Sequence, residues 1–126
     1  MTATEAQPYV TDDAKGEGWH LMLGDSCERL AEIPTDTAGM VIYSPPFASL
    51  YTYSPSDRDL GNSSSMDEFA EHYRFILDQI LRVTMPGRII AVHCQQIATQ
   101  KWRDGVIGLN DFRGDLIRAH QEAGYT

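Results

Sequence analysis

Several features that would assign a sequence quickly are scarce in this one. Its 126 residues include two cysteines, Cys27 and Cys94, whose spacing fits neither a zinc site nor a disulfide framework, so both are read as reduced thiols without chemistry. No apolar run reaches the roughly 18 residues needed to cross a bilayer. The polar start, Met1 to Gln7, lacks the charged-then-apolar order of a secretory signal, and a cytoplasmic location is the expectation. Basic residues are few: 10 Lys and Arg against 18 Asp and Glu give a formal net charge of -8. That is the wrong sign for gripping a phosphate backbone, where counterion release needs clustered cations. Any hold on nucleic acid has to come from elsewhere.

What is present fits an ordinary folded domain. Hydrophobic residues make up 42% and charged residues 22%, close enough to globular averages to exclude a disordered or fibrous chain, and the length suits one domain with a real core. Residues 1–18 are polar and without apolar periodicity, so an irregular arm is expected there and the folded domain is expected over 19–126. Gly16-x-Gly18 is not read as a nucleotide loop, because such a loop follows a strand and opens a helix.

Trp19 to Leu23 reads as a strand stopped by the turn at Gly24-Asp25. A short helix follows, with Leu30 and Ile33 apolar and Pro34 closing it. Ala38 to Tyr43 is continuously apolar with β-branched residues, the pattern of a strand buried on both faces of a parallel sheet. It stops at Ser44-Pro45-Pro46, because consecutive prolines have no N–H to continue a ladder. Phe47 to Ser64, rich in Tyr and Ser with Gly61-Asn62, is expected to be a long loop.

Ser65-Met66-Asp67-Glu68 has the form of a capping box. Phe69, Tyr73, Ile76, Leu77, Ile80 and Leu81 then fall on one face of a helix that Met85-Pro86-Gly87 stops. A second buried-type strand over Arg88 to Cys94 completes a strand-helix-strand crossover, so the class is α/β. His93 and Cys94 point opposite ways on that strand, and a buried structural pair is the expected role. After a loop around Gly105 to Asn110, Phe112 to Glu122 reads as a helix with Phe112, Leu116, Ile117 and Ala119 apolar.

Ligands of open parallel sheets sit outside the carboxyl ends of the strands, which is where Ser44-Pro45-Pro46-Phe47 falls. Alone, a Ser-Pro-Pro tripeptide fits a linker equally well. Behind a buried strand and followed by an aromatic, it becomes a stiff backbone presenting one hydroxyl, one carbonyl and one flat ring.

The series of apolar strand, Ser-Pro-Pro-Phe, aromatic loop with Gly-Asn, capped amphipathic helix and Pro-Gly-Arg-Ile-Ile strand resembles the S-adenosylmethionine-dependent DNA amino-methyltransferases. These act on cytosine N4 or adenine N6, and the likeness is to the permuted type, over residues 19–125. It implies a Rossmann-like methyltransferase half-fold: a mainly parallel sheet with flanking helices, here incomplete. It also implies that Ser44 and the Pro45 carbonyl accept hydrogen bonds from the amine of a flipped base, with Pro46 stiffening the turn and Phe47 stacking on the ring. The Ser form leans to cytosine.

Asp25 and Ser26 would lie along the adenosyl part of the cofactor, Asp25 serving equally as a helix N-cap. Tyr51, Tyr53 and Asn62 are candidate substrate contacts, with loop packing as their plainer role. No metal is implied. The family's Phe-x-Gly-x-Gly-type loop has no counterpart in this sequence, which implies an N-terminal catalytic portion inactive alone, DNA contacts made by a remainder, and a sheet edge open to self-association. The contrasting readings are a non-catalytic α/β nucleic-acid-binding or regulatory module that keeps the fold without the chemistry, and an enzyme acting on RNA or protein amines.

Overall fold

The computed structural model describes residues 10–46 and 66–126, the side chains of residues 66–68 excepted. Its longest element sets the frame. Helix α2, Met66–Val83, carries Phe69, Tyr73, Leu77, Ile80 and Val83 down one side, all at most 3% exposed. Their spacings of three and four residues place them on one stripe, as the sequence pattern requires. Against that stripe packs α4, Phe112–Ala123, through buried Phe112, Leu116 and Ala123, with Ile97 closing the core. The Phe69 ring stacks on Tyr73 at 5.3 Å and meets Phe112 edge-on at 5.4 Å.

Strands β3, Val41–Tyr43, and β4, Ile90–Val92, pair in parallel, Val41 opposite Ile90 and Tyr43 opposite Val92. α2 is the crossover between them, as the expected strand-helix-strand unit demands. The return from α2 is pinned ahead of the strands. The Thr37 and Ala38 amides donate to the Val83 carbonyl, Met85 donates to Ala38, and the buried Thr84 hydroxyl donates to the Ile80 carbonyl at 2.6 Å. The Arg82 guanidinium reaches the Leu30 carbonyl at 2.8 Å and Thr35 Oγ1 at 3.1 Å. That ties α2 to α1, the short helix Ser26–Ala31.

Several expectations need correction. The predicted arm over 1–18 contains strand β1, Asp12–Gly16, which pairs antiparallel with β2, Trp19–Leu23, across the turn at Glu17-Gly18. Gly18 takes φ 78 there, a left-handed conformation that suits glycine. Gly16-x-Gly18 therefore follows a strand after all, but it turns a hairpin instead of opening a helix. Nor is the sheet mainly parallel among the described residues. Besides β1–β2, strands β5, Ile97–Ala98, and β6, Leu109–Asn110, pair antiparallel around α3, Lys101–Asp104.

Burial of β3 on both faces does not hold either. Ile42 is 71% exposed and Ile89 69%, so among the described residues only the face carrying Tyr43 meets the helices. Leu81 and Ile117, expected in the core, are exposed, while Val83 and Ala123 take buried places. The expected capping box at Ser65 and Glu68 lies outside what is described. Among the described residues, no helix is long and apolar enough to cross a membrane.

Candidate functional site

The carboxyl ends of β3 and β4 lie side by side, and the ladder continues one step past the strands: the His93 N–H donates to the Tyr43 carbonyl at 2.9 Å. That bond sets Ser44 next to His93. The Ser44 hydroxyl donates to the His93 carbonyl at 3.1 Å, and its oxygen is 3.4 Å from His93 Nδ1. Pro45 turns inward and is buried, Pro46 is half-buried, and Ser44 stays exposed. Two prolines without N–H groups leave the sheet without orphaned donors, which is why the chain can depart so sharply here.

A serine hydroxyl has one proton and two acceptor lone pairs. With its proton directed at the His93 carbonyl, Ser44 Oγ presents its accepting side to an incoming donor. Of the other predicted site residues, Phe47, Tyr51, Tyr53 and Asn62 lie outside the described residues. Asp25 is the N-cap of α1: its Oδ1 accepts from the Cys27 amide at 2.9 Å and the Glu28 amide at 3.3 Å. Ser26 is the exposed first residue of that helix.

The expected buried pair at His93 and Cys94 divides differently. Cys94 packs against the core, while His93 is exposed beside Ser44. Sequence spacing could not reveal this contact, because it depends on the register of β3 against β4.

Behind the site runs a second arrangement that the sequence does not disclose. Tyr43 Oη is 2.5 Å from Tyr73 Oη and 3.0 Å from His120 Nε2, while His120 Nδ1 is 2.6 Å from the Leu116 carbonyl. A carbonyl can only accept, so Nδ1 carries the proton, and on a neutral ring Nε2 accepts from Tyr43. Tyr43 then accepts from Tyr73, and the chain runs Tyr73 to Tyr43 to His120 to Leu116. Burial pushes the Tyr43 hydroxyl's pKa up from its ordinary value, and burial joined by the Tyr43 contact pushes that of Tyr73 up further. The Tyr125 hydroxyl donates to the Leu77 carbonyl at 2.7 Å and its ring meets His120 edge-on. The side chain preceding Ser44 is thereby fixed to both α2 and α4.

A groove of about 520 Å³ opens between β4 and α4, lined among others by Ile90, Val92, Cys94, Leu116, His120 and Tyr125. Another of about 190 Å³ lies between α2 and α4. Neither is lined by Ser44, Pro45 or Asp25. The chemistry points to the strand ends, where the polar groups converge.

No protein-family model matches the chain, and no curated protein matches it. Solved structures do, and they share its mixed α/β fold. The matches include TTHA0409 of Thermus thermophilus, a provisionally assigned DNA modification methylase. Its selenomethionine form has a TM-score of 0.61 and 18% identity, covering 80% of this chain and 36% of that one. A second structure of it, complexed with S-adenosyl-L-methionine, has a TM-score of 0.61 and 20% identity, covering 81% of this chain and 39% of that one. At these identities the likeness is one of fold, and the chain spans little more than a third of the Thermus protein's length.

Proposed function

We propose that this chain is a catalytic portion of a DNA amino-methyltransferase of the permuted type, built on a Rossmann-like half-fold, and that Ser44-Pro45-Pro46-Phe47 is the floor of its target-base pocket. The observation that carries the reading is the Ser44 hydroxyl at the carboxyl end of a parallel strand, its proton turned to the His93 carbonyl at 3.1 Å and its accepting side outward. An exocyclic amine is a donor, and Ser44 Oγ with the Pro45 carbonyl accepts its two hydrogens. Phe47 stacks on the base, and Tyr51, Tyr53 and Asn62 serve as further contacts.

S-adenosylmethionine, which a structural neighbour holds, supplies a methyl group on a sulfonium. Binding both amine hydrogens draws the nitrogen toward tetrahedral geometry and localises its lone pair for in-line attack. Asp25 and Ser26 are the residues proposed to hold the adenosyl part. The cap that Asp25 already makes is compatible with this, since a carboxylate offers about four acceptor positions over its two oxygens.

The proposal also covers the hold on DNA, the site of action and self-association. With a net charge of -8, the DNA grip is assigned to protein surface outside these 126 residues, in keeping with the greater length of the Thermus protein, and these residues alone are expected to show no turnover. The site of action is the cytoplasm, where a restriction-modification role belongs. The exposed apolar residues Ile42 and Ile89, beside strands with no outer partner among the described residues, favour self-association.

The test is methyl transfer from labelled S-adenosylmethionine to unmethylated DNA by the full gene product, followed by nucleoside analysis. N4-methylcytosine is the expected product. N6-methyladenine would keep the site and change the base, and DNA binding without transfer would favour the non-catalytic module.

A further inference from the structure

We propose that His93 is the proton acceptor behind Ser44, a positioning residue that acts on the reacting amine only through the serine hydroxyl; this rests on the reading of Ser44 as the amine's acceptor. When the amine nitrogen attacks the sulfonium methyl, a nitrogen–carbon bond forms and the sulfur–carbon bond breaks, its electron pair returning to sulfur as a neutral thioether. The nitrogen is left with one proton in excess. A serine hydroxyl can take that proton only if its own has somewhere to go, the same requirement that pairs serine with histidine in nucleophilic catalysis.

The strand ends provide that place. Ser44 Oγ lies 3.1 Å from the His93 carbonyl, an acceptor, and 3.4 Å from His93 Nδ1, which accepts on the tautomer protonated at Nε2, the one the relay requires. The backbone bond from the His93 N–H to the Tyr43 carbonyl, 2.9 Å, holds the pair in register. Rotation about the Ser44 Cβ–Oγ bond carries the hydroxyl hydrogen from the carbonyl to Nδ1 without moving another heavy atom. The amine proton then passes to Oγ as the hydroxyl proton passes to Nδ1, giving an imidazolium. A separation of 3.4 Å is long for this bond, and such contacts tighten when substrate is bound. His93 is exposed, so water can remove the proton between turnovers. The arrangement gives His93 two roles in one place, its backbone orienting the hydroxyl and its ring receiving the proton.

The experiment uses the full gene product and compares wild type, His93→Ala, Ser44→Ala and the double variant in methyl transfer to unmethylated DNA. Loss of a general base typically costs about 10² to 10⁴-fold. His93→Ala is expected to lower kcat by about 10²-fold with KM for DNA and for S-adenosylmethionine unchanged. Imidazole added to the buffer should restore part of the rate, which a merely structural histidine would not allow. The double variant should be no slower than Ser44→Ala, because the two side chains act as one relay. An active wild type with an unchanged His93→Ala rate, or losses that add without imidazole rescue, overturns the relay alone. A wild type that transfers no methyl overturns the function beneath it as well.

Discussion

Tyr43 stands in the middle of a hydrogen-bond chain whose direction is fixed by a single carbonyl, that of Leu116. The consequence is an asymmetry between neighbouring substitutions. Tyr73→Phe removes one donor and leaves Tyr43 still donating to His120, a loss of about 1 kcal/mol. Tyr43→Phe strands both the Tyr73 hydroxyl and His120 Nε2, and about 2 to 3 kcal/mol is expected. Urea unfolding of the two variants checks the order, and equal losses would contradict it.

The same residues set an alkaline limit. Burial raises the folded pKa of Tyr43 and Tyr73 above the ordinary 10.0, so the unfolded chain loses these protons first. Their contribution is complete below that pH and declines as pH rises above it. The thermal midpoint should therefore fall above about pH 10, and less steeply in Tyr43→Phe. The exit of the chain from β3 at Ser44-Pro45 was legible at this scale because proline chemistry is local. His93, Tyr73 and His120 were not, since they reach Ser44 or Tyr43 across separations of 49, 30 and 77 residues.

Among the elements, α2 and α4 were readable because each buries a stripe with helical period, and burial is what a hydrophobic pattern records. β1 was missed for the converse reason. Asp12, Asp13 and Lys15 leave no apolar alternation, every residue of the strand is exposed, and the partner strand across the turn is what holds it. α3, β5 and β6, of two to four residues, are too short for any period to show.

The end of α4 was legible for a backbone reason. Gly124 takes φ 104 at its C-cap and its amide donates to the Gln121 carbonyl. A Cβ there would meet Leu81 at an ordinary 3.5 Å, so Gly124→Ala should cost only the left-handed conformation, about 1 to 2 kcal/mol. A thermal melt checks this, and an unchanged midpoint would show that the cap contributes nothing.

At the scale of the whole molecule, the exposed apolar surface requires an explanation. Ile42 and Ile89 are each about two-thirds exposed or more, although the strand pattern around them is that of an interior. The sequence was right about the apolar character of these strands and wrong about what covers them, because a pattern reports that a residue suits burial without naming the cover. Self-association is the proposed consequence for these 126 residues. Sedimentation at micromolar concentration should give a mass above the 14.1 kDa of one chain, with Ile42→Lys and Ile89→Lys together restoring the monomer. A monomeric wild type would remove the proposal.

Whether Ser44 accepts from the amine of the target base is decided by comparing Ser44→Ala with wild type in the full gene product. Binding of DNA and of S-adenosylmethionine is measured beside a single turnover of methyl transfer. Retained binding is expected with a transfer rate lower by about 10² to 10³-fold, the effect of deleting one preorganised polar contact to the reacting group. Equal rates in the two proteins would contradict it, and would move the chemistry away from the end of β3.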